Sequence, residues 1–177
     1  VLEGVQLDAG ITLDFDLSSA TRAVVQHFAT LVNSRNLSPA STDMRASLNP
    51  IGDIASSGAS TQSWSIGSKE FANAVGELAS LGFLGPFAVA DARIIQNAGG
   101  SEAQELAFAI ASAIEYLRAL EKNGLSLDAA RRMIYFRLPA DADQFLTIAK
   151  FRALRKLWAR IEEASGIEPR SAYVAAE

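Results

Sequence analysis

Cysteine is absent from the 177 residues, and histidine occurs once, at His27. Without thiols there is no disulfide framework, thiolate metal site or thiol nucleophile, and a single imidazole cannot make a multi-histidine metal cluster. The lack of cysteine suits a cytoplasmic protein. A dominant charge is missing too. With 16 basic against 20 acidic side chains, the formal net charge of -4 is too small and too interspersed to gather nucleic acid or an anionic membrane. No apolar run approaches the ~20 residues of a membrane span, and Val1-Leu2-Glu3-Gly4 lacks the basic-then-apolar layout of a signal peptide. The chain has no initiator methionine and stops at Tyr173-Val174-Ala175-Ala176-Glu177, where an apolar segment has just begun, so an internal segment of something longer is expected.

What is present is a hydrophobic fraction of 49%, enough for a sizeable core in a folded domain. Ile11 to Phe15 alternates as a strand does, and Asp16-Leu17-Ser18 leads into Ala20, Val24, Phe28, Leu31 and Val32 at helical spacing. Met44 to Leu48 is a weaker strand candidate; Asn49-Pro50-Ile51-Gly52 reads as a break and Ser56 to Gly67 as a loop. A helix is predicted from Ser68 to Leu81, then a strand from Phe87 to Ala92. Ser101 with Gln104 fits a capping box opening a helix to about Asn123, with Gly124 as its stop. A short helix from Ser126 to Met133, a strand from Ile134 to Leu138, a long helix capped by Asp141 or Asp143 and closed by Gly166, and a strand near Ala172 complete the order.

Strands alternating with helices imply parallel pairing through right-handed crossovers. Doubly wound sheets and (β/α)8 barrels both satisfy that order. A complete barrel needs ~250 residues, so a barrel here would be partial, with about five parallel strands in one domain spanning residues 1–177.

The chemical constellations are sparse. Gly99-Gly100-Ser101 places unpaired N–H groups at a helix start, where phosphates and carboxylates bind, although neither a Rossmann nor a Walker pattern is present and an ordinary capped helix explains it equally. His27 is the residue suited by its ordinary pKa to acid-base work, but it falls mid-helix, where a partly buried structural histidine is the plainer expectation. Asp14 and Asp16, two apart at a strand end, could act as paired carboxylates or as a rim residue and a helix cap. Lys150, Arg152, Arg155, Lys156 and Arg160 read as the solvated side of a helix whose apolar face comprises Phe145, Ile148, Ala149, Leu154, Leu157, Trp158 and Ile161.

Four blocks carry a resemblance. Gln96-Asn97-Ala98-Gly99, Gln104-Glu105-Leu106-Ala107-Phe108, Glu115-Tyr116-Leu117-Arg118-Ala119, and Ile148-Ala149-Lys150-Phe151-Arg152-Ala153 through Leu157-Trp158-Ala159-Arg160 resemble, in order and separation, segments of methylmalonyl-CoA mutases. The resemblance implies a piece of the (β/α)8 substrate barrel of that family, whose enzymes interconvert methylmalonyl-CoA and succinyl-CoA by a radical rearrangement started from adenosylcobalamin. Active subunits carry Tyr-His-Met-Gln-Glu-Ala-Gly where this chain has Arg93-Ile94-Ile95-Gln96-Asn97-Ala98-Gly99, so isoleucine stands at the catalytic histidine position and Asn97 at the acidic one. Met133 falls on a position that is basic in the family, and the cobalt-ligating Asp-x-His-x-x-Gly signature is absent, since Val25-Gln26 precedes His27.

These departures resemble the smaller, non-catalytic subunit of the heterodimeric mutases. They imply that no catalytic residue and no cofactor site belong to this chain, that adenosylcobalamin sits in a large catalytic partner subunit, and that Gln96 and Gly99 are the positions matching substrate contacts. Self-association of an isolated segment through its open strand edges is also expected. The alternative reading is a segment of an active acyl-CoA mutase with a variant site.

Overall fold

A computed structural model describes residues 2–16, 21–60 and 62–177. Five strands, β1 (Thr12–Asp14), β2 (Asp43–Arg45), β3 (Ala88–Asp91), β4 (Ile134–Leu138) and β5 (Val174–Ala176), run in parallel. β1 pairs with β2, and β3, β4 and β5 pair in that order. The two sheets join at Leu48, whose N–H donates to the Phe87 carbonyl (2.8 Å) and whose carbonyl accepts from Val89 N (3.0 Å). Each strand therefore lies beside its neighbour in sequence. That order belongs to a (β/α) barrel; a doubly wound sheet would reverse it midway. The fold is a partial α/β barrel.

The crossovers are α1 (Thr21–Ser34), α2 (Pro50–Ser57) with α3 (Trp64–Ser80), α4 (Arg93–Asn97) with α5 (Glu102–Lys122) and α6 (Leu127–Arg132), and α7 (Gln144–Ala164). Among the boundaries, α5 opens with the Gln104 carboxamide accepting from Ser101 N (2.8 Å), and Asp143, not Asp141, caps α7 by accepting from Leu146 N (3.1 Å). The proposed Leu17-Ser18 entry to α1 lies outside the described residues.

Two expectations fail between β2 and β3. Asn49-Pro50 begins a helix instead of breaking the chain: Pro50 occupies its first turn, where no N–H is needed, and the Asn49 side chain accepts from Gly52 N (3.2 Å). The expected loop from Ser56 to Gly67 shrinks accordingly, because α3 starts at Trp64.

The outward faces of the strands and the inward faces of the helices make the core. Ala88, Ala90, Phe136 and Leu138 meet Ala109, Ala113, Tyr116, Leu117 and Leu120 of α5 and Leu154 and Trp158 of α7, all buried. Alanines on α5 let β3 approach closely, while Trp158 stands edge-on to Phe136 at 5.1 Å between ring centres.

Lys150 departs furthest from the sequence reading. Its Nζ lies 2.6 Å from Glu105 Oε2, and both side chains are buried, at 0% and 2% exposure, so it belongs to the α5–α7 interface and not to the solvated basic face. Phe145, assigned to the apolar face, is 84% exposed at the first turn of α7.

Candidate functional site

In barrels, chemistry collects where strands end and loops begin. Inward positions there alternate with the core-facing ones, and in this chain they are polar or charged: Asp14, Arg45, Asp91, Tyr135 and Arg137. Arg137 crosses the concave side of the sheet. Its Nη2 donates to Asp14 Oδ2 (2.8 Å) and Ser47 Oγ (2.9 Å), its Nη1 to Asp91 Oδ2 (3.3 Å), and its Nε lies 3.0 Å from Glu177 Oε1. The Tyr135 hydroxyl adds bonds to Ser47 (2.7 Å) and Asp14 (3.0 Å), and burial pushes this phenol well above its ordinary pKa, with the Asp14 charge adding. Ser47 also donates to Asp14, from a left-handed φ of 44°. The Arg45 guanidinium stacks 3.6 Å over the Tyr173 ring, contact that offsets a buried Nε without a hydrogen-bond partner. Side chains of β1, β3 and β4 thus meet across the lumen with Glu177 just past β5, while Arg45 of β2 meets Tyr173 just before it.

Above this layer lies a polar cavity of about 130 Å³, walled by Asp16, Ser47, Asn49, Asp53, Ser56, Asp91, Arg93 and Arg137, with Val89 and Ile94 supplying the apolar contacts. That volume holds roughly four waters at ~30 Å³ each. Asp91 and Asp16 face arginines, and the Arg93 guanidinium donates to the Asp91 carboxylate hydrogen bonds that push its pKa further up. Asp53 is the wall's carboxyl with no arginine on it among the described residues; partial burial and the nearby Asp16 raise its pKa. It stands in the first turn of α2, a position the helix dipole favours for an anion. A wider groove of about 860 Å³ runs between α1 and α3 past Val25, Pro50, Trp64, Phe71 and Leu78 and reaches Leu48, Asn49 and Asp53, the last two of which also wall the polar cavity.

The sequence-derived candidates fall as follows. Asp14 and Asp16 both turn to arginines and not toward each other around a metal, and no group of three metal-ligating side chains exists among the described residues. His27 is exposed on α1 and outside the cavity wall, contrary to the partly buried histidine expected. With no imidazole at the strand ends and the Asp-x-His pattern missing, the residues present do not fit a cobalamin ligand site. Ile94 lines the cavity from α4, immediately after β3. Gln96 lies two residues farther along α4, and Gly99, with φ of 82°, makes the turn into α5; neither lines the cavity. In Gly99-Gly100-Ser101, packing is one reason for the second glycine, since a Cβ at Gly100 would lie 2.3 Å from Ile95 Cγ2. Arg131 forms a buried pair with Glu162 (3.0 Å), and Met133, the residue expected on the family's basic position, caps α6.

Sequence reasoning missed the Arg45, Ser47, Tyr135 and Arg137 layer. Its visible signal was an arginine inside the otherwise apolar strand Ile134–Leu138.

A family model described as methylmalonyl-CoA mutase matches residues 89–175. A protein named methylmalonyl-CoA mutase small subunit from Streptomyces virginiae is 36% identical over 170 residues, which cover 94% of this chain and 26% of that protein. One of the same name from Propionibacterium freudenreichii subsp. shermanii is 50% identical over 78 residues, 44% of this chain and 12% of its own length. The methylmalonyl-CoA mutase large subunit of Streptomyces virginiae is 40% identical over 67 residues, 38% of this chain and 9% of its length. The chain thus spans about a quarter of the length of the Streptomyces virginiae small subunit.

Proposed function

Because this chain belongs to the methylmalonyl-CoA mutase family, we propose that it is a barrel segment of a small mutase subunit that performs no chemistry itself and stabilises a large catalytic subunit. The carrying observation is Ile94 at the cavity: a hydrocarbon side chain cannot donate a proton or hydrogen bond where the family's active sequences place histidine. General acid-base help of that kind contributes ~10²–10⁴-fold in rate. The arginine-carboxylate layer beneath supports the same reading, since it fills the lumen with side chains that neutralise one another.

In this reading residues 1–177 form one unit of the barrel, adenosylcobalamin is held by the large subunit, and the complex isomerises methylmalonyl-CoA and succinyl-CoA. Gln96 and Gly99, by family position, would contact an acyl-CoA only if affinity for it is retained. The role is tested by co-expressing the full polypeptide that contains this segment with a large mutase subunit. An equimolar complex surviving size-exclusion is the expected result, and two separate peaks at micromolar concentration would refute it.

A further inference from the structure

Arg93 is the first residue of α4, directly after β3, and its guanidinium is placed to hold several strand ends at once. Its Nε donates to both Asp91 oxygens at 3.0 Å, its Nη1 pairs with Glu177, and its Nη2 lies 3.4 Å from Asp16. Asp91 ends β3, Glu177 follows β5 and Asp16 follows β1. None of these strands neighbours another of the three in the sheet, so one side chain draws together points that backbone pairing leaves apart. Val89 is two residues before Asp91 on β3, faces the same side, lines the cavity and is 1% exposed.

From this geometry we infer that Arg93 is a clasp that closes the strand-end mouth of the lumen over the cavity. The planar, permanently charged fork of arginine can serve several carboxylates in different directions, which a point-charged lysine cannot do to the same extent. Removing the clasp leaves Asp91, Asp16 and Glu177 with Arg137 alone as a shared cation (3.3, 3.9 and 3.0 Å), and their mutual repulsion adds to the opening. The inference rests on these contacts alone and holds whatever the parent complex catalyses.

The missing cysteines make a direct test available. A single thiol introduced by V89C into the 177-residue chain reports access to the cavity floor by its labelling rate with methyl methanethiosulfonate, read by mass. V89C alone is expected to label slowly. V89C/R93A should label at least tenfold faster with an unchanged far-UV circular dichroism spectrum, and V89C/R93K by an intermediate factor, which keeps the test open if R93A does not fold. Rates within twofold of V89C in both variants would overturn the clasp. So would an equal acceleration in V89C/R155A, whose arginine is exposed on α7.

Discussion

Replacing Lys150 by methionine strands the Glu105 carboxylate inside the α5–α7 interface. The pair is 2.6 Å apart with exposures of 0% and 2%, so water cannot take the place of the lost cation. Breaking a buried pair from one side costs about 3–5 kcal/mol, and at this chain length each kcal/mol lowers the melting temperature by roughly 2–4 °C. K150M should therefore melt roughly 6–20 °C below the parent by calorimetry. Replacing both partners removes the stranded charge. K150M/E105L should recover to within about 1–2 kcal/mol of the parent or exceed it. A K150M melting temperature within 2 °C of the parent at pH 8, or a double variant as unstable as the single, would refute the buried pairing.

Three further outcomes follow. G100A forces a methyl against Ile95 Cγ2 and to 2.9 Å from the Ile95 carbonyl, and should cost about 1–3 kcal/mol in urea unfolding. N49A removes both the α2 cap and the acceptor for the Tyr116 hydroxyl (3.1 Å), so a loss of about 1–2 kcal/mol with slower-forming α2 protection in hydrogen exchange is expected. R137M takes from Asp14 its arginine and from Asp91 one of two, Arg93 remaining, and should lower stability by about 1–3 kcal/mol while leaving the α5–α7 interface protected.

The family-like blocks explain how much could be read in advance. Glu105 and Lys150 sit in two different blocks and form one ion pair, so part of what the resemblance detects is the packing of two helices and not a catalytic device. The helices α3, α5 and α7 and the strands β3 and β4 were legible because their apolar residues repeat at clear periods over a long enough stretch. α2 was hidden by a proline that terminates helices inside but starts them at the first turn. α4, five residues long, is too short to show a period. The burial of Lys150 could not be read from its own helix, since its partner is 45 residues away. The lumen layer escaped for the same reason: Asp14 and Arg137 meet over a separation of 123 residues, and only the curl of the sheet brings β1 opposite β4. Ile94 was legible as a departure from the family pattern, and its place on the cavity wall required the turn after β3.

The central claim is that the cavity beside Ile94 does no chemistry and that turnover belongs to a large partner subunit. Succinyl-CoA formation from methylmalonyl-CoA with added adenosylcobalamin measures it most directly, using the full polypeptide that carries this segment, first alone and then with the large subunit. No product above background from the polypeptide alone, with turnover appearing when the large subunit is added, is the predicted result; isomerisation by the polypeptide without that subunit would contradict it.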